Sequence, residues 1–178
     1  GSPNVGKSAL ISSLSTGEPE INSYPFTTKT LHVGHFEHRR RNYQMVDTPG
    51  LLDRPMVERN EIEMQAIAAL ENVGSVAVFL LDPSEDGGTS MDSQLNLLEE
   101  VRTLLGDTPV VLVDGKMDLL GLNESDLINP VSGNIAISAT EGWGLEVLRS
   151  HLIEIIGADV IGDRLTLPEG WHRKHIPE

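Results

Sequence analysis

Apolar residues along this chain keep two rhythms, unbroken runs of strand length and stripes at helical spacing. Ala9, Leu10, Ile11 and Leu14 open a short helical pattern, and a stretch carrying Leu31, Val33 and Phe36 then alternates with polar neighbours, predicting an edge strand. Tyr43 to Val46 predicts its partner, with the hairpin turn in His38-Arg39-Arg40-Arg41-Asn42. A helical pattern over 56–72 (Ile62, Ala66, Ala69, Leu70) leads to the continuous apolar run Val76 to Leu81. Such a run, with no polar alternation, fits a strand buried on both faces. Asp82 to Ser90 is rich in Pro, Gly, Ser and Asp and reads as a loop. An amphipathic helix is predicted over 91–105 (Met91, Leu95, Leu98, Val101, Leu105), a second apolar strand over Pro109 to Val113, and a short third at Ile135 to Ile137. The last helix is predicted over 144–156, with Leu145, Leu148, Leu152, Ile155 and Ile156 on one side and Gly157 as its stop. Strands alternating with helices predict an α/β domain, a mostly parallel sheet with helices on both faces and one antiparallel edge strand. Residues 1–157 form this domain. Residues 158–178, with two prolines, Trp171 and no strong period, read as an extended tail or linker.

The candidate chemistry begins at the first residue. Gly1-Ser2-Pro3-Asn4-Val5-Gly6-Lys7-Ser8 satisfies G-x-x-x-x-G-K-[ST], and a helix follows at once. Glycines at this spacing let the backbone curl so that successive N–H groups, here from Asn4 to Ala9, face phosphate oxygens at a helix N-terminus. Lys7 then reaches the β- and γ-phosphates and the Ser8 hydroxyl ligates Mg²⁺. Such a loop hangs from the end of a buried parallel strand, so a first strand is expected upstream of Gly1. The strand ending in Asp47-Thr48-Pro49-Gly50 supplies an acid suited to Mg²⁺ and a glycine whose N–H can face a γ-phosphate. Lys116-Met117-Asp118 and Ser138-Ala139-Thr140 each follow an apolar strand, where an open parallel sheet binds its ligand. The Asp118 carboxylate can accept from N1–H and N2–H of guanine, which adenine cannot match, and the Ala139 N–H can meet guanine O6.

Composition narrows the partners. Thirteen Lys and Arg against 27 Asp and Glu give a formal charge of −14. That sign repels phosphate backbones and leaves no electrostatic footprint for DNA. No uncharged apolar run approaches the ~18–20 residues of a membrane helix, so no membrane partner is expected. Mean hydropathy is −0.14, and 39% of residues are hydrophobic, which excludes a disordered chain. The chain has no cysteine, which removes disulfides and thiolate sites and fits a cytoplasmic setting. The six histidines show no helical His-x₃-His spacing for zinc.

Taken in order, these stations resemble the G domain of Obg-related GTPases, a Ras-like P-loop NTPase fold. Ser23 to Lys29, Asp47 to Pro55 and Glu58 to Ile67 are similar to the nucleolar GTP-binding protein 1 family and its archaeal relatives, over about residues 1–157. The resemblance implies GTP and GDP as ligands, Mg²⁺ as cofactor and slow hydrolysis of GTP as activity. It implies the large ribosomal subunit precursor or its rRNA as partner, and a nucleolar location if the chain is eukaryotic. Thr28, with Thr27 as neighbour candidate, would close over Mg²⁺ and the γ-phosphate. Lys7, Thr28 and Gly50 would carry the catalytic role. Asn4 resembles the asparagine that binds K⁺ in potassium-activated relatives, where that ion supplies charge to the phosphates.

Two positions depart from the switch-GTPase pattern. Leu51 stands where many of these proteins place a water-orienting Gln, which predicts slow turnover and is shared by Obg-like relatives. Gly115 stands where Asn-Lys-x-Asp has its Asn, in Asp114-Gly115-Lys116-Met117-Asp118. Losing that buried bond costs on the order of 1–3 kcal/mol, roughly tenfold to a hundredfold in affinity, while Asp118 keeps the preference for guanine. A non-catalytic scaffold with a weakened base site is the alternative. Arg39-Arg40-Arg41 and His172-Arg173-Lys174-His175 are open to two readings, solvated turns or rRNA contacts. Trp143, between two glycines, is expected to cover the loop near the base.

Overall fold

Runs as apolar as Val76 to Leu81 must hide both faces, and the computed structural model shows how they do so. It describes residues 1–23, 30–47 and 75–162. Helix α1 is Lys7–Leu14, strands β1, β2 and β3 are Glu20–Ser23, Thr30–His38 and Arg41–Asp47, and β4 is Ala77–Leu81. Helix α2 is Met91–Leu105, β5 is Val110–Asp114, a 3-10 turn covers Met117–Leu120, β6 is Ile135–Ala136 and α3 is Leu145–Gly162. The helical pattern at 56–72 and residues 163–178 lie outside the described residues.

Strands β4, β5 and β6 form a parallel sheet in that order, with Ala77 opposite Val110, Leu81 opposite Asp114 and Val113 opposite Ile135. Alternate side chains go to opposite faces. Phe79 and Leu81 pack with Leu97, Leu98, Val101 and Leu105 of α2. Leu80, Val111 and Val113 pack on the other face with Leu10 and Leu14 of α1 and Leu148 and Leu152 of α3. Each fully buried leucine contributes about 2 kcal/mol, so helices on both faces are what stabilise such strands.

Strands β1, β2 and β3 make a separate antiparallel sheet. This corrects the expectation of one mostly parallel sheet with a single antiparallel edge strand. β2 is the middle strand of three, because the four residues Glu20–Ser23, for which the pattern predicted no strand, pair along it from Glu20–Val33 to Ser23–Thr30. Among the described residues, β3 and β4 are not hydrogen-bonded to each other. Val46 and Asp47 of one and Phe79 and Leu80 of the other line a cavity of about 110 Å³, with Gly1 and Leu10. Helix α1 bears on the antiparallel sheet at Gly34, where an added Cβ would lie 2.1 Å from Ser15 Oγ and 2.8 Å from Ile11 Cγ2.

Three local details also differ from or sharpen the pattern. The β2–β3 turn is two residues long, and Arg39 and Arg40 both have positive φ, 49° and 64°, the conformation of a type I′ turn that Asn-Gly favours. In α2 the expected stripe holds at Leu98, Val101 and Leu105, but the buried face takes Gln94, fully inaccessible, in place of Leu95, which is 43% exposed. The last helix does not stop at Gly157. It runs on to Gly162, since Gly157 is not among the positive-φ glycines that would end it.

Candidate functional site

Residues 1–6 curl into the N-terminus of α1 through Asn4 at φ 59° and Gly6 at φ 97°. Gly6 reaches that angle without the Cβ clash that makes it costly elsewhere. Val5 anchors the loop, its side chain 1% exposed in the core beside Leu80. Among the described residues, the N–H groups of Val5, Gly6 and Ser8 donate to no other group. The result is a concave set of donors at a helix N-terminus, suited to an anion. Lys7 Nζ folds back over it, donating to Ser2 O at 2.7 Å and Gly1 O at 3.1 Å.

One turn on, Ser8 Oγ donates to Asp47 Oδ2 at 2.8 Å. Asp47 is 3% exposed, and its Oδ1 has no hydrogen-bond partner among the described residues. A buried carboxylate oxygen left over beside a hydroxyl is a hard-oxygen pair, the donor type that Mg²⁺ takes from a protein when phosphate and water complete its shell. These two residues therefore fit the expected ion. Among the described residues no three His, Cys, Asp or Glu side chains gather into a metal cluster.

The loops after β5 and β6 are held together. Met117 N–H donates to Ile137 O at 3.2 Å, and Trp143, 9% exposed, packs with Met117 and Ala136, covering the 116–118 loop as expected. Ser138 is buried, with its N–H on Trp143 O and its Oγ accepting from Glu141 N–H. Ala139 O accepts from Ser13 Oγ at 3.0 Å, tying this loop to α1, and the Ala139 N–H donates to nothing among the described residues. Asp118 sits in the first turn of the 3-10 segment, half-buried. Thr28, Gly50 and Leu51 lie outside the described residues.

Gly115 is buried, its N–H bonded to Leu81 O at 2.8 Å, and an added Cβ would lie 3.0 Å from Leu80 Cδ1. Leu80 also comes within 3.9 Å of the Cβ position at Gly6, so one side chain separates the Gly1–Ser8 turn from the 114–118 loop.

Sequence reasoning missed what grips Lys116. Its Nζ lies 2.8 Å from Asp82 Oδ2 and 3.1 Å from Asp86 Oδ2. Burial alone would raise the Asp82 carboxyl; the bonds from Lys116, Ser84 and Gly87 N–H outweigh it and hold Asp82 below the ordinary 3.8. Burial likewise opposes charge on Lys116, and the two aspartates outweigh it, holding the amine above 10.5. The signal was present: an acid directly after an apolar strand and before Pro83 and Gly87-Gly88. Asp114, 1% exposed, was missed too. It accepts from Asn129 Nδ2 at 2.7 Å, Asn134 Nδ2 at 3.0 Å and Ser132 Oγ, pinning 129–134 to the end of β5.

A phosphate-loop-type turn into α1, a paired Ser8–Asp47 and loops packed together at the carboxyl ends of parallel strands define a G-domain-like α/β protein. The G domain of the T. maritima FeoB iron transporter shares that fold, with a TM-score of 0.64 at 21% identity, covering 86% of this chain and 93% of that one. A crystal structure of a Plasmodium falciparum protein assigned as nucleolar GTP-binding protein 1 aligns with a TM-score of 0.74 at 32% identity, over 90% of this chain and 85% of that one. The nucleolar GTP-binding protein 1 family model matches residues 61–118. This chain belongs to the nucleolar GTP-binding protein 1 family, for which binding of guanine nucleotide is implied. It is 37% identical over 164 residues to that protein of Caenorhabditis elegans, covering 92% of this chain and 24% of the relative. An uncharacterised protein of Methanocaldococcus jannaschii is 49% identical over 120 residues, 67% of this chain and 33% of its own length. The chain thus spans a third or less of these two relatives.

Proposed function

We propose that this domain binds GTP with Mg²⁺ and hydrolyses it slowly to GDP and phosphate, as a switch serving assembly of the large ribosomal subunit. The observation that carries the reading is Ser8 bonded to a buried Asp47 whose other oxygen is left over, beside a loop of unused N–H donors. In this reading Lys7 exchanges the Gly1 and Ser2 carbonyls for phosphate oxygens, and the N–H groups from Asn4 to Ala9 cradle the same phosphates. Ser8 and Asp47 hold Mg²⁺, which when bound supplies positive charge to the phosphate oxygens. Thr28 and Gly50 are assigned to the γ-phosphate side, and Asn4 to a K⁺ beside the phosphates, by resemblance to the family. Asp118 accepts from the guanine edge, the Ala139 N–H meets O6, and Ser138 and Lys116 shape the pocket. Water bonds to the γ-phosphorus as the bond to the β–γ bridging oxygen breaks. Leu51 offers that water no hydrogen bond, so turnover is slow.

The pre-ribosomal particle or its rRNA is the partner we assign, in the cytoplasm or, for a eukaryotic chain, the nucleolus. A second reading, a non-catalytic scaffold with weakened guanine recognition, is favoured by Gly115 alone. Single-turnover GTP hydrolysis in KCl and in NaCl, with and without Mg²⁺ and beside Lys7→Ala, tests the choice. Mg²⁺-dependent turnover lost in Lys7→Ala supports the switch; binding without turnover in either salt leaves the scaffold.

A further inference from the structure

The base-recognition motif needs its lysine held still, and in this chain the residue before it is a glycine with no side chain to help. The hold comes from elsewhere. Asp82 directly follows β4 with its side chain 1% exposed, and its carboxylate takes Lys116 Nζ at 2.8 Å and Gly87 N–H at 3.0 Å, with the Ser84 hydroxyl and N–H on the other oxygen. Asp86, exposed, adds a second oxygen to Lys116 at 3.1 Å. Asp82 is itself fixed by Gln94 of α2, which accepts its N–H at 2.8 Å and donates to its carbonyl at 2.9 Å and to Thr89 O at 2.9 Å. This explains a fully buried glutamine on an amphipathic helix. The same loop meets the phosphate loop, since a Cβ on Gly87 would lie 3.0 Å from Asn4 O. Lys116 has positive φ, 55°, an unfavourable conformation for a non-glycine residue that a two-carboxylate grip can maintain.

We propose that the Asp82–Asp86 clamp positions Lys116, and with it the guanine-recognition loop, making from the 82–90 loop the tie to the phosphate loop that Gly115 cannot make. Asp82 and Asp86 are positioning residues; neither needs to touch nucleotide. The proposal rests on the reading of this site as a guanine-nucleotide site and adds what fixes its geometry. Both charges of the Asp82–Lys116 pair are favoured by their surroundings, as a persistent clamp requires.

The test measures affinity for fluorescent GDP, with competition by ADP and by inorganic pyrophosphate, in the full chain carrying Asp82→Asn or Asp86→Asn. Pyrophosphate reads the phosphate loop alone. Asp82→Asn is expected to weaken GDP by about tenfold and to narrow its advantage over ADP, with pyrophosphate unchanged. Asp86→Asn, at an exposed position, is expected to weaken GDP by about two- to threefold. GDP affinity and preference unchanged in a folded Asp82→Asn protein overturn the proposal, as does equal weakening of GDP and pyrophosphate, which marks general damage. Should Asp82→Asn not fold, unchanged GDP affinity in Asp86→Asn overturns it. A wild-type chain that binds no guanine nucleotide sinks the underlying reading, a result distinct from all of these.

Discussion

Replacing Gly115 by Asn would complete the base-recognition motif proposed for residues 115–118, and the structure gives a reason why that change alone falls short. The new Cβ would lie 3.0 Å from Leu80 Cδ1 and 3.5 Å from Leu80 Cγ and Leu81 O. Leu80 is 3% exposed and packed in the core with Val5, Val111 and Val113, so it has little room to retreat, and its other methyl faces Gly6. Overpacking of this kind costs about 1–3 kcal/mol of folding stability, and pushing Leu80 towards Gly6 displaces the phosphate loop, which offsets the recovered buried hydrogen bond of about 1–3 kcal/mol in binding. Gly115→Asn alone should therefore change GDP affinity by less than about threefold while lowering the melting temperature by about 2–12 °C. Leu80→Val removes the crowding methyl. In that background Gly115→Asn should tighten GDP by about tenfold, which is about 1.4 kcal/mol. Calorimetric GDP titration and thermal melts of the four proteins in this cycle make the measurement. A tenfold gain from Gly115→Asn alone, with no loss of stability, refutes the steric account. No gain in the Leu80→Val background refutes the claim that the missing Asn limits affinity.

Three further outcomes follow from contacts already described. Gly34→Ala puts a Cβ into Ser15 and Ile11, so it should destabilise the protein by about 2 kcal/mol, or about 4–8 °C in melting temperature, and weaken GDP without touching it; an unchanged melt would show that α1 can move freely. Changing Arg39→Asn and Arg40→Gly together relieves two positive-φ arginines and should raise stability by about 1–2 kcal/mol in urea unfolding; no gain would mean the turn changes type. Asp82 has a lowered folded pKa, so its contribution is complete above the ordinary 3.8 and is lost as pH falls through the lower folded value. Lys116, raised above 10.5, contributes fully below that value and loses it only as pH rises through its higher folded value. The stability gap between wild type and Asp82→Asn should thus stay level from about pH 9 to about pH 5 and narrow as pH falls below the ordinary 3.8 and through the lower folded value; a gap that does not narrow on acidification contradicts the assignment.

What was legible in the sequence was what is local. Gly1 to Ser8 declare their turn because backbone curl, N–H donors and lysine reach are set within eight consecutive residues. Val76 to Leu81 and Pro109 to Val113 declare buried strands because nothing polar interrupts them. Glu20–Ser23 was illegible because four residues between Pro19 and Pro25 carry no alternation of their own; β2 makes them a strand by offering its edge. Gln94 and Leu95 exchanged places because a period counts hydrophobicity, while burial here follows the Asp82 backbone groups that Gln94 satisfies. The clamp on Lys116 joins residues 82, 86 and 116, and only the parallel pairing of β4 with β5 brings them together.

The two ends of the proposed site lie far apart along the chain, and a bound ligand would bridge them. Asp47 ends a strand of the antiparallel sheet, whereas Lys116, Asp118 and Ala139 follow strands of the parallel one. A nucleotide seated as proposed reaches from one to the other, so its stabilisation, about 2.7 kcal/mol at a hundredfold excess over Kd, is shared by both. Loss of a γ-phosphate would release the Asp47 end first, while the guanine end still holds the other.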